Sequence, residues 1–121
     1  MADDDELVRR IVFRAGVHFG WEVGVAENGL EAARMLKDTH WDVLLTDIFM
    51  PAMDGVELIR LAGRAAKRTA IVAMTGGGTF EVDYLRMAQL MGARLVLQKP
   101  FSLEELVNVV REAAVPLVPP P

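Results

Sequence analysis

The chain has no cysteine, so disulfides and cysteine-based zinc sites are excluded. Histidine is nearly as scarce. Only His18 and His40 occur, and neither has a second ligand at metal-like spacing. Both are read as structural, His18 near a helix end where partial positive charge is favourable. No apolar run is long enough to span a bilayer, and no basic-then-apolar leader opens the sequence, so the expectation is a soluble cytoplasmic protein. Strong charge of either sign is also missing. Thirteen basic and 17 acidic residues give a net charge of −4, and that excess matches the run Asp3, Asp4, Asp5, Glu6. The rest of the chain is charge-balanced, without the basic footprint of a nucleic-acid binder. What remains is an ordinary globular mix in 121 residues, 52% hydrophobic and 25% charged, which fits one domain with a real core.

Three short, nearly continuous apolar runs stand out: DVLLT from Asp42, AIVAMT from Ala70 and RLVLQ from Arg94. Such runs suit strands covered on both faces, as in a parallel sheet. WEVGVA, from Trp21 to Ala26, alternates large and small residues and reads as a further strand. Helices fall between them. Asn28 with Glu31, Asp54 with Glu57 and Ser102 with Glu105 each resemble a capping box ahead of an apolar helical stretch. A helix is predicted over Leu7–Phe19, with Leu7, Ile11 and Ala15 four apart on one face. Another is predicted over Thr79–Met91, stopped by Gly92. The order is helix, then strand–helix four times, which means a doubly wound α/β sheet. The tail VPLVPPP, residues 115–121, is unable to extend a helix and reads as a loose end after a domain spanning 1–114.

Three polar residues stand at the C-terminal ends of the apolar runs: Asp47, Thr75 and Lys99. Ligands of open α/β sheets bind beyond those strand ends. Singly, each has a bland reading as a turn residue, a strand closure or a solvated cation. A carboxylate, a hydroxyl and an ammonium at successive strand ends form a site.

The acidic pair Asp3-Asp4 ahead of LVRRIV, AENGLEAARML, LLTDIFMPAMDG, AMTGGG, VLQKPF and SLEEL together resemble the receiver domain of bacterial two-component response regulators, in its single-domain form. The resemblance covers the chain except its tail. It implies a flavodoxin-like fold with strand order 2-1-3-4-5. It also implies a phosphorylation-controlled switch in which Asp47 accepts a phosphoryl group as an acyl phosphate. Asp3, Asp4 and Asp47 would hold Mg²⁺, Asp3 mostly through water, with the main-chain carbonyl of Phe49 as a further ligand. Lys99 would pair with phosphoryl oxygen, Thr75 would hydrogen-bond it, and Pro100 could follow a cis bond. The protein would not be a conventional enzyme, although it would catalyse its own Mg²⁺-dependent phosphorylation and dephosphorylation. Its donor would be a sensor histidine kinase or histidine phosphotransfer protein, and its target a downstream protein. Neither nucleic acid nor membrane is expected as a partner, and a homodimer is compatible with the family. In this reading Asp5 and Glu6 are the cap and first turn of the first helix.

Some positions depart from the family pattern. Val96 stands three before Lys99, where the family commonly has an aromatic residue. Phe49 and Gly77, two after Asp47 and Thr75, lack groups that could orient water. TGGGT is a permissive loop without the Gly-Lys-Ser/Thr of a P-loop. Met87, Leu90 and Met91 fit a core or partner surface. Two other functions are weighed. An aspartate-based phosphatase usually carries a second Asp where Phe49 stands. A degenerate receiver acting as a binding module suits the short N-terminus but not the retained Asp47, Thr75 and Lys99. Met1 and Ala2 would supply only the end of a central first strand, and the expectation is that a longer natural strand has been clipped.

Overall fold

In the computed structural model, residues 1–48, 50, 53–66, 68–76, 86–87 and 89–115 are described. Phe49, the tail residues 116–121 and most of the helix predicted over 79–91 lie outside them; residues 86–87 and 89–91 are helical, and Gly92 follows with φ 129°.

Each apolar run becomes a strand. β1 is Val43–Asp47, β2 is Ala70–Thr75 and β3 is Leu95–Gln98. They form a parallel sheet in the order β1-β2-β3. Alternation sends Leu44, Ile71 and Ala73 to one face and Leu45, Val72, Met74 and Leu97 to the other. Among the described residues, four helices described along their whole length cover these faces. α1 (Glu6–Phe19) and α4 (Leu103–Ala114) pack on the second face through Val8, Val12, Leu106 and Ala113. α2 (Gly29–Asp38) and α3 (Gly55–Ala65) pack on the first through Leu36, Leu58 and Ile59. Leu58 and Ile59 are wholly buried, and burial of each contributes about 2 kcal/mol. No helix among the described residues is long and apolar enough to cross a membrane.

The predicted caps are present. Asn28, Asp54 and Ser102 accept from the N–H of Glu31, Glu57 and Glu105. Only Ser102 and Glu105 form the reciprocal box, with Glu105 accepting from Ser102 N–H at 3.3 Å. Asp5 caps α1, accepting from Leu7 N–H at 2.9 Å.

Two expectations are corrected. The buried row of α1 is Val8, Val12 and Ala15; Leu7 and Ile11, which share the predicted face with Ala15, are 64% and 40% exposed. α1 carries two adjacent apolar rows, and the one beginning at Val8 faces the sheet. WEVGVA is not a strand along its length. Only Ala26 pairs, in a parallel bridge to Ala2. A strand needs a partner, and Met1–Asp3 reach only Gly24 and Ala26. Ala2 also bridges to Thr46, so the first strand is a stub held between residue 26 and β1. The family order 2-1-3-4-5 is thereby kept, with its first two positions reduced to bridges.

Candidate functional site

Main-chain bonds bring the acids together. Ala2 N–H donates to Leu45 C=O and Asp47 N–H donates to Ala2 C=O, both at 2.8 Å; Asp3 N–H donates to Ala26 C=O at 3.0 Å. The stub therefore delivers Asp3 and Asp4 to the C-terminal end of β1, where Asp47 stands. One carboxylate oxygen from each of Asp3, Asp4 and Asp47 lies within 4.8 Å of the others.

The three acids differ in surroundings. Asp3 is fully buried and already engaged: Oδ1 accepts from Asp5 N–H at 2.9 Å and Oδ2 from Lys99 Nζ at 2.6 Å. Asp4 is exposed. Asp47 is 8% exposed, and its Oδ1 accepts from Ile48 N–H at 3.0 Å. Its Oδ2 lies 3.6 Å from Lys99 Nζ. Burial pushes the Asp47 pKa from the ordinary 3.8 up to about 6, helped by the Asp3 charge and opposed by Lys99. Burial works against the Lys99 charge, yet the bond to Asp3 and the charges of Asp47 and Asp3 outweigh it and raise its pKa.

Thr75 closes β2, next to β1, and its Oγ1 is buried without a hydrogen-bond partner among the described residues. Such a hydroxyl costs about 1–3 kcal/mol unless something bonds it. Lys99 N–H donates to Thr75 C=O at 2.6 Å, tying the ends of β2 and β3 together. The Lys99–Pro100 bond is cis.

The donor set fits a small, hard divalent cation: it offers only oxygen, and three carboxylates face one ammonium. Asp3 spends its oxygens on protein partners, which leaves Asp4 and Asp47 the freer ligands. Sequence reasoning missed Arg9, whose Nη1 donates to Asp3 C=O at 2.9 Å and pins the stub to α1. No sequence signal foretold this, because the bond crosses from a helix to a loop end.

The Asp47 shift has a consequence for stability. A raised carboxyl pKa favours the folded chain below about pH 4, and that contribution is lost as pH rises towards 6. Above that, folding pays for an ionised, crowded carboxylate. Asp47→Asn is therefore expected to raise the stability of metal-free protein at pH 7, by up to about 3 kcal/mol, and to have little effect near pH 4. Thermal melts in chelator at both pH values check this; an unchanged or lowered melting temperature at pH 7 contradicts it.

The comparisons with known proteins point to one family. The family described as "Response regulator receiver domain" matches residues 1–111. The response regulator receiver protein CpdR of Brucella abortus is 35% identical over 116 residues, covering 93% of this chain and 92% of CpdR. The regulatory protein AtoC of Escherichia coli is 36% identical over 113 residues, but this chain spans only 24% of its length. Among solved structures, the chemotaxis response regulator CheY4 of Vibrio cholerae superposes with a TM-score of 0.83 at 28% identity, covering 93% of each chain.

Proposed function

Because the chain belongs to the response regulator receiver domain family, we propose that it is a phosphorylation-controlled signalling switch whose acceptor is Asp47. The observation that carries the assignment is the buried Thr75 Oγ1 at the strand end beside Asp47, without a partner among the described residues, with Lys99 Nζ 3.6 Å from the carboxylate. A phosphoryl oxygen would give the hydroxyl its missing bond and the ammonium a second anion.

The Asp47 carboxylate oxygen forms a bond to phosphorus as the donor's P–N bond breaks, leaving an acyl phosphate on the chain and a free imidazole on the donor. The family's donors are sensor histidine kinases and histidine phosphotransfer proteins, and one of these in the cytoplasm would supply the phosphoryl group, since the chain's own two histidines stand away from the site. Asp4 and Asp47 would hold Mg²⁺ directly, Asp3 through water, and the Phe49 carbonyl would complete the protein ligands. Bound there, the ion offsets the negative charge that otherwise repels the phosphoryl group. Lys99 neutralises phosphoryl oxygen and Thr75 orients it.

Incubation with a small phosphodonor and Mg²⁺, followed by intact mass, tests the reading. A lasting adduct supports the switch. Turnover with phosphate release would favour a phosphatase, and no reaction would favour a binding module.

The adduct is expected to be long-lived. In the sequence Phe49 follows Asp47 by two and Gly77 follows Thr75 by two, and neither carries a group that could align water. Phe49→Asn should shorten the half-life several-fold. A half-life unchanged or lengthened by that substitution argues against the assignment of Phe49.

A further inference from the structure

One of the three clustered acids has nothing of its own to aim it. Asp4 is exposed, and no hydrogen bond among the described residues reaches its carboxylate. Its oxygen nevertheless lies within 4.8 Å of those of Asp3 and Asp47. Only its backbone can direct it there. The peptide group ahead of Asp4 is planar, so the direction of the Asp3 carbonyl sets where the Asp4 Cα begins.

That carbonyl lies past the last main-chain bond to the sheet. Asp3 N–H still donates to Ala26 C=O at 3.0 Å, but Asp3 C=O accepts from Arg9 Nη1 at 2.9 Å, its one partner among the described residues. Arg9 is half-buried in the first turns of α1, and its own N–H donates to Asp5 C=O at 3.1 Å. Helical side chains lean towards the helix N-terminus, which carries the guanidinium back to Asp3. A cation there opposes the helix dipole. It would be expected to pair with an acid. Asp3, Asp4, Asp5 and Glu6 all stand within six residues of it, yet among the described residues no carboxylate comes within 4.0 Å of the guanidinium. Arg9 takes a carbonyl instead.

We propose that Arg9 is a positioning residue: by holding Asp3 C=O it fixes the Asp3–Asp4 peptide plane, keeps the Asp4 carboxylate turned towards Asp47, and so sets the affinity of the acidic pocket for a divalent cation. The proposal rests on the reading of Asp4 and Asp47 as Mg²⁺ ligands. Charge and positioning make opposite predictions. As a charge alone, Arg9 repels a divalent cation, and its removal would tighten binding. As a positioner, its removal frees the peptide plane and weakens binding, as loss of a group that orients a ligand does.

Mn²⁺, a paramagnetic stand-in for Mg²⁺, is titrated against the intact chain without phosphodonor and read by water-proton relaxation. Arg9→Met keeps the apolar stem and removes both bond and charge. It is expected to bind Mn²⁺ about tenfold more weakly, and Arg9→Lys, which keeps a donor, to recover most of that loss. In metal-free protein the Asp4 and Asp5 amides should become more mobile in Arg9→Met, read as lower NMR order parameters. With phosphodonor, the Mg²⁺ concentration for half-maximal uptake should rise about tenfold, while the rate at saturating Mg²⁺ stays within about twofold. General loosening of the fold would lower both. If Arg9→Met does not fold, Arg9→Gln replaces it under the same criteria. Equal or tighter Mn²⁺ binding by the variant overturns the proposal and leaves the Asp47 assignment standing. No Mn²⁺ binding by the unaltered chain overturns the metal reading, and this proposal with it.

Discussion

Given a small phosphodonor and Mg²⁺, the unaltered chain is expected to gain one phosphoryl group and Asp47→Asn none. An amide is no nucleophile towards phosphorus, and the neighbouring acids do not replace it. Both Asp3 oxygens are held, by Asp5 N–H and Lys99, and Asp4 is exposed to water. Lys99→Ala should slow uptake by about a hundredfold, the usual cost of removing a charge that stabilises the transition state. It also leaves the buried Asp3 without its cation. Because Asp47→Asn is expected to melt higher than the unaltered chain in chelator, its failure to react is separable from unfolding. Intact mass over time reads both variants. Uptake by Asp47→Asn at the unaltered rate would refute the acceptor assignment.

Gly55→Ala is expected to cost about 3 kcal/mol or more and to lower the melting temperature by about 10 °C. Gly55 opens α3 and donates its N–H to Ile48 C=O at 2.7 Å. A Cβ there would collide with the Asp47 carbonyl oxygen and lie 2.6 Å from Ile48 Cα. Both are main-chain atoms, so relief must come from moving the helix or the acceptor segment. The variant should also take up phosphoryl more slowly at temperatures where it is folded. Gly63, in the same helix, has open space around its Cβ position. Gly63→Ala should be neutral or stabilising by up to about 1 kcal/mol. Calorimetry of the pair checks the contrast, and two similar melting temperatures would show that the close approach at Gly55 is readily relieved.

Much of the fold was legible because its signals are local. The apolar runs ending at Thr46, Thr75 and Gln98 fall on the three strands, with β1 and β3 starting one residue later than the runs and β1 also ending one later, and the Asn28, Asp54 and Ser102 caps start the helices. The approach of Lys99 to Asp47 was legible as well, since strand ends of one parallel sheet converge, whereas Asp3 and Asp4 were placed beside them only by the resemblance to the family. What failed depended on distant partners. Residues 21–25 have strand-like alternation, but alternation supplies no hydrogen bonds, and the neighbour they need is two residues long. The inward row of α1 could not be chosen from spacing alone, because Leu7–Ile11 and Val8–Val12 repeat with the same period. The preference of Lys99 for Asp3 over Asp47, 2.6 against 3.6 Å, is set by the depth at which the stub holds Asp3.

That stub has a further consequence. Ala2 is at once the last rung holding residue 26 to β1 and the residue before the acids that would grip a cation. Whatever orders Met1–Asp3 would make the carboxylates readier for a cation, and a cation held by the carboxylates would order the same three residues. Thermodynamic linkage requires the two effects to be equal in free energy. The hold of residue 26 on β1 and the affinity of the acidic pocket are thus expected to rise and fall together, because one short segment serves both.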